Sequence, residues 1–203
     1  MTTPSVVVFD LGKVLVDFDY NIAIEKIARA SGKTPAQVSH VVGLTPLLFK
    51  LETGLITDAQ FHAEIQRETG FPHDIEQFSG MFADIFSEIE PMIAMQAKLK
   101  AAGIPTWIFS NTNGIAVRHI QKRFPFFANF TGYVYSYEQG SMKPDAKIYE
   151  VIEQKTGHRG GDIVYLDDRA ENIAAGAARG WRTILHSDPV ETRRLLQAMG
   201  LPV

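Results

Sequence analysis

Three aspartates stand where runs of apolar residues give out. Asp10 follows Val6-Val7-Val8-Phe9, and Asp167-Asp168 follow Ile163-Val164-Tyr165-Leu166. Another apolar run, Thr106-Trp107-Ile108-Phe109, ends in Ser110-Asn111-Thr112-Asn113, and Lys143 lies in Gly140-Ser141-Met142-Lys143-Pro144. Taken singly, each has a plain structural explanation, because Asp at a strand end is a common helix N-cap and Ser-Asn a common turn former. Brought to one end of one sheet, they make a different chemistry. Carboxylates that close raise one another's pKa and do not all ionise unless a cation sits among them. One lysine is too little for three. The remaining donors are hard oxygens in a chain without cysteine, which favours Mg²⁺. The ion and Lys143 would form a positive pocket for a phosphate, with the Ser110 hydroxyl and the backbone N–H groups that open the next helix holding its other oxygens. Against a phosphoryl group so held, the Asp10 carboxylate can attack in line, giving an aspartyl phosphate that water later hydrolyses. Asn172, one helical turn beyond Asp168, is placed to support the pair.

These residues converge only if the apolar runs are neighbours in a parallel sheet. Runs 6–10, 106–109, 163–166 and 183–185, with 133–135 a weaker member, are continuous segments of the kind buried on both faces. Helical patterns alternate with them. Residues 91–102 stop at Gly103, 144–156 begin on Pro144 and stop at Gly157, 170–179 stop at Gly180, and 189–199 at Gly200. The alternation predicts an α/β fold with a Rossmann-like open parallel sheet, whose ligands bind beyond the carboxyl ends of the strands. Residues 20–88 interrupt this rhythm. They show no strand pattern but carry two capping boxes, Thr34-Pro35-Ala36-Gln37 and Thr57-Asp58-Ala59-Gln60, with a stripe of Ile22, Ile24, Ile27 and Ala28 and another of Phe61 and Ile65. We therefore expect a small inserted α-helical cap over 18–88 on a core made of 1–17 and 89–203. Pro144 should hold Lys143 extended at the entrance of its helix.

In this order the four blocks resemble the haloacid dehalogenase-like hydrolase superfamily, over about residues 5–17 and 90–187. The run Phe9-Asp10-Leu11-Gly12-Lys13-Val14-Leu15-Val16-Asp17 looks most like the subgroup containing α-D-glucose-1-phosphate phosphatase. The resemblance implies that Asp10 is both nucleophile and Mg²⁺ ligand and that Ser110 and Asn111 bind phosphate. It also implies that Lys143 neutralises charge beside nucleophile and substrate, and that Asp168 completes the Mg²⁺ site, supported by Asp167. One position departs. Most phosphatases of this superfamily carry a second aspartate two positions after the nucleophile as general acid and base; here that residue is Gly12. Its carbonyl still suits the metal, since the family makes that contact through backbone. The proton donor is gone, and losing such a group costs on the order of 10²–10⁴ in rate where the leaving group needs it. Asp17 and Asp19 are candidates to replace it, although capping the next helix explains them more simply.

The 203 residues carry 20 Lys and Arg against 23 Asp and Glu, a net charge of −3. With no basic run, phosphate-backbone binding to nucleic acid is a poor fit. The absence of cysteine excludes disulfides, thiolate metal sites and cysteine nucleophiles. The apolar start is cut by Asp10 and Lys13, far short of the roughly 18 residues a membrane span needs, and residues 1–5 lack a cationic signal-peptide flank. A cytoplasmic protein without membrane contact is expected. The function expected is a Mg²⁺-dependent phosphatase acting on a small phosphorylated metabolite, with a sugar 1-phosphate favoured. Its alternatives are a metal-independent haloacid dehalogenase, for which Asp167-Asp168 would be superfluous, and a non-catalytic phospholigand-binding protein.

Overall fold

The computed structural model describes residues 3–43 and 45–203. Strand β1 (Val6–Phe9) leads through a tight turn into the short β2 (Val16–Phe18). Five helices follow: α1 (Tyr20–Ser31), α2 (Pro35–Ser39), α3 (Pro46–Glu52), α4 (Asp58–Thr69) and α5 (Ile75–Ala83). Strand β3 (Phe86–Glu88) returns antiparallel to β2, pairing Phe86 with Phe18. The chain then alternates through α6 (Glu90–Ala101), β4 (Thr106–Ser110), α7 (Gly114–Arg123), β5 (Gly132–Tyr135) and α8 (Ser136–Gln139). It closes with α9 (Ala146–Thr156), β6 (Ile163–Asp167), α10 (Ala170–Ala178), β7 (Arg182–Leu185) and α11 (Pro189–Ala198).

The large sheet has the order β5-β4-β1-β6-β7, with every neighbouring pair parallel. From β1 the chain steps outward through β4 to β5, then crosses back to lay β6 and β7 on the other side. Strand β1 is therefore the switch point, where loops diverge and leave a crevice at the carboxyl ends. Register aligns Phe9 with Leu166, so the next residues, Asp10 and Asp167, stand level. Alternate side chains cover opposite faces, as the strand period of two requires. Val7, Phe9, Ile108, Val164 and Leu166 join one buried cluster, while Val6, Val8, Phe109, Ile163 and Tyr165 join another with Tyr149 and Trp181. Phe126, Phe127 and Phe130 belong to the first cluster and are core residues.

Residues between β2 and β3 form a helical unit with its own core, built on Ile27, Phe61, Ile65, Phe78 and Phe82 and joined by Ile115 of α7. Both capping boxes form, with Thr34 and Gln37, and Thr57 and Gln60, bonding reciprocally. Three expectations change. The region from 20 to 88 does contain a strand, β3, which is three residues long and mostly exposed, too short to leave a periodic signal. The buried face of α1 is Ala23, Ile24, Ile27 and Ala28; Ile22 is 40% exposed, one step round the helix. Helix α9 begins at Ala146 and not at Pro144, so Lys143 is presented from the loop ahead of it. Among the described residues no helix is long and apolar enough to cross a membrane.

Candidate active site

The three strand ends deliver their residues to one place. Asp10 is the first residue past β1, Ser110 the last of β4, and Asp167 the last of β6. Lys143 arrives from the loop between α8 and α9. Its backbone is clamped by one side chain: Asn111 Nδ2 donates to the Lys143 carbonyl at 2.9 Å, and the Lys143 N–H donates to Asn111 Oδ1 at 2.8 Å. The Lys143 side chain is fully buried. Its Nζ lies 2.9 Å from Asp10 Oδ1 and 2.6 Å from Asp167 Oδ2, and it donates to the Phe109 carbonyl at 2.8 Å.

Asp167 is saturated. Its Oδ1 accepts from the Arg169 N–H and from Asn172 Nδ2, both at 2.9 Å, and its Oδ2 accepts from Lys143 and the Tyr165 hydroxyl. Asn172 is in turn fixed through its carbonyl by the Tyr149 hydroxyl at 2.8 Å. Burial raises the Asp167 carboxyl, but Lys143 and these hydrogen bonds outweigh it and hold the group below the ordinary range. Asp10 fares differently. Burial pushes its carboxyl up, Lys143 pulls it down, and the charge on Asp167 adds to the rise. Asp168 is also raised, by burial and then by Asp167. One buried cation thus serves three carboxylates whose oxygens lie within 4.8 Å of one another. With Asp167 committed to its donors, Asp10 and Asp168 carry charge that Lys143 leaves uncompensated, and both suit a hard divalent cation.

A cavity of about 150 Å³ opens over Asp10, Lys143 and Asp168. A second, of about 60 Å³, reaches Ser110 and Asn113, and the two share Gly12, Phe18, Tyr20, Glu52 and Asn111 as walls. Ser110 Oγ makes only a long contact, 3.4 Å, to the Asn111 carbonyl. At Gly12 the space for a side chain is filled: a Cβ there would lie 2.8 Å from Phe18 Cε1. Lys13 lines the rim of the larger cavity, with its ammonium committed elsewhere. It sits 4.7 Å over the Phe18 ring, pairs with Asp17 and donates to the Phe18 carbonyl at 3.0 Å. Asp19 caps α1 through the Asn21 N–H. Neither Asp17 nor Asp19 lines the two cavities.

A model of the haloacid dehalogenase-like hydrolase family matches residues 4–180. The chain belongs to that family. A sesquiterpene phosphatase of Aspergillus oryzae is 21% identical to this hydrolase over 194 residues, covering 94% of each chain. A D-ribitol-5-phosphate phosphatase of Bacteroides thetaiotaomicron is 22% identical, covering 94% of this chain and 95% of its own. Among solved structures, a family enzyme from Bacteroides thetaiotaomicron in complex with magnesium and inorganic phosphate superposes with a TM-score of 0.81 at 22% identity, covering 91% of this chain and 94% of that one. An L-2-haloacid dehalogenase from Xanthobacter autotrophicus with chloropropionic acid covalently bound gives 0.62 at 15% identity, over 96% and 83%.

The fold brings together Asp10, Gly12, Ser110, Asn111, Lys143, Asp167, Asp168 and Asn172, whereas Asp17 and Asp19 line neither cavity. Asn111 clamps the Lys143 backbone with its side chain and lines both cavities. Sequence reasoning missed Glu52, Tyr20 and Phe18, which the helical unit contributes. One signal was available. Thr45-Pro46 is an N-cap followed by a first-turn proline, Gly54 ends the pattern, and Glu52 is left in a last turn where the helix dipole disfavours negative charge.

Proposed function

We propose that this hydrolase is a Mg²⁺-dependent phosphatase that cleaves a small phosphorylated metabolite through an aspartyl phosphate on Asp10. The observation that carries the reading is the shared lysine: Lys143 faces Asp10 and Asp167 at 2.9 and 2.6 Å while Asp168 stands beside them. A metal-free dehalogenase site gains nothing from the third carboxylate. Two relatives of similar length are phosphatases, and a family enzyme from Bacteroides was crystallised with magnesium and phosphate.

Asp10, Asp168 and the Gly12 carbonyl would hold the ion, which when bound neutralises phosphate charge and draws the phosphoryl group against the carboxylate. The chain's own residues do the rest. Lys143, rigid between its three acceptors, adds a fixed positive charge beside Asp10. Ser110 Oγ, lightly committed, is free to donate to a phosphate oxygen. Asp167 keeps Lys143 charged and aimed, and Asn172 keeps Asp167 in place. The helical unit, residues 18–88, acts as a cap whose Phe18, Tyr20 and Glu52 close the cavity and exclude water from the nucleophile.

The preferred substrate within this reading is a sugar 1-phosphate, in keeping with the likeness of the first motif to glucose-1-phosphate phosphatase. An anomeric oxygen leaves more easily than a primary alkoxide, and position 12 brings no acid to help the latter. The test is a panel of phosphorylated metabolites with Mg²⁺, ranked by kcat/KM. A sugar 1-phosphate ahead of the matching 6-phosphate supports the reading, and chloride release from 2-haloacids without metal would replace it.

A further inference from the structure

Transfer of a phosphoryl group from an alkyl ester to Asp10 strands an alkoxide unless a proton arrives with it. Few groups around the cavity are able to bring one. Lys143 donates to three acceptors and is the counter-charge of the nucleophile. Lys13, at the rim, is engaged by Asp17 and the Phe18 ring. Glu52 is different. It ends α3 of the helical unit, borders both cavities beside Gly12, and is partly buried with two neutral hydrogen-bond partners, Tyr20 and Asn113. Arg169, whose charge acts on it, is itself bonded to Glu171 at 2.7 Å.

Glu52 is also held in place from the core. Two residues on, Gly54 adopts φ 70° and passes so close over α8 that a Cβ would lie 2.2 Å from the Tyr137 carbonyl oxygen. On the other side, Asn113 accepts the Ala116 N–H at 3.0 Å through Oδ1, which orients its amide towards Glu52.

We infer that Glu52 is the catalytic acid and base of this site, delivered by the helical unit to the leaving-group side of the cavity over Asp10. In the first step an Asp10 oxygen bonds to phosphorus, the ester P–O bond breaks, and its electron pair takes the Glu52 proton, giving free alcohol, aspartyl phosphate and the Glu52 carboxylate. In the second, water attacks phosphorus and gives a proton to Glu52 as the phosphorus–Asp10 bond breaks, releasing phosphate and restoring both side chains. Burial supports the assignment by raising the Glu52 carboxyl to about 7, against hydrogen bonds from Tyr20 and Asn113 and the charge of Arg169; a proton donor is most effective near the working pH. The other charged groups that line this cavity are Asp10, Lys13, Lys143, Asp168 and Arg169. The assignment rests on the phosphatase reading.

The test compares Glu52→Gln with the wild-type chain, with Mg²⁺, on p-nitrophenyl phosphate and on a primary alkyl phosphate, in single turnover from pH 5.5 to 9. The p-nitrophenol burst counts competent sites, so rates are expressed per folded, active molecule. The expected result is a fall of about 10²–10⁴ in alkyl phosphorylation, at most about a tenth of that on the aryl ester, and loss of the descending limb that the wild-type alkyl rate shows above about pH 7. Equal falls on both esters, or a limb that survives the substitution, would overturn the role of Glu52. Absence of Mg²⁺-dependent release from either ester by the wild-type chain would instead overturn the phosphatase reading itself.

Discussion

The ring of Phe18 occupies the space into which a side chain at position 12 would project, with Cε1 2.8 Å from where the Cβ of that residue would stand. Phe18 is itself braced by Tyr20 and Phe86, at ring separations of 5.6 and 6.1 Å, and by Lys13 above it. A glycine before the hinge and an aromatic ring after it are thus one arrangement. Restoring an acid with Gly12→Asp alone should displace Phe18 and lower stability by about 1–3 kcal/mol, the usual cost of overpacking. Gly12→Asp combined with Phe18→Ala should recover the alkyl-phosphate rate of a Glu52→Gln background. Thermal melts and single-turnover rates on the three variants check both statements.

Leaving-group preference should depend on pH. The protonated fraction of Glu52 falls as pH rises through about 7. Discrimination in favour of a sugar 1-phosphate over the 6-phosphate should therefore be modest at pH 6 and grow by about tenfold per unit above pH 7 until chemistry no longer limits. Paired kcat/KM measurements across that range test it, and a ratio independent of pH would count against proton donation by this carboxylate.

Asp167 should matter to stability more than to chemistry. It accepts four hydrogen bonds in a fully buried position beside Lys143. Removing one partner of a buried pair costs roughly 3–5 kcal/mol, the loss expected for Asp167→Ala in a urea titration at pH 7. The acid limb gives a second readout. The folded carboxyl titrates below its unfolded value, so its contribution is complete above about pH 4 and disappears as pH falls through the folded value. The variant should lose less stability than the wild-type chain over that acidic interval.

Asp168 is proposed as a cation ligand together with Asp10. Asp168→Ala should raise the Mg²⁺ concentration for half-maximal rate by at least about tenfold, with little change in melting temperature in the absence of metal. An unchanged Mg²⁺ dependence would remove Asp168 from the metal site.

Much of this site is legible in the chain because Asp10, Ser110 and Asp167-Asp168 stand at strand ends, and a parallel sheet collects strand ends. Lys143 comes from the loop between α8 and α9 and was legible only through its motif. The clamp that the Asn111 side chain makes on the Lys143 backbone was not legible, because the two residues are 32 apart in the chain. Glu52 and Phe18 were invisible for a related reason. Their meaning depends on how the helical unit folds back over β1, and short elements such as β2 and β3, three residues each, carry no periodic trace of that hinge.

Gly54 offers a mechanical test of the same contact. Gly54→Ala forces a methyl against the Tyr137 carbonyl and should lift the end of α3, with Glu52, off α8. Misplacing a catalytic group by about 1 Å costs on the order of 10²-fold, so alkyl-phosphate kcat should fall by about that factor while the Mg²⁺ requirement stays as it was. Steady-state kinetics with a Mg²⁺ titration separate the two effects.

The covalent step on Asp10 is the centre of the account, and trapping it is the most direct measurement. The chain is mixed with Mg²⁺ and excess aryl phosphate, quenched in acid within one turnover, digested, and read by mass spectrometry. The account predicts one phosphoryl group on the peptide containing Asp10, absent from a folded Asp10→Asn variant that also releases no phosphate. Phosphate release that continues in Asp10→Asn, or that proceeds in the wild-type chain without any phosphoryl group appearing on Asp10, would contradict it.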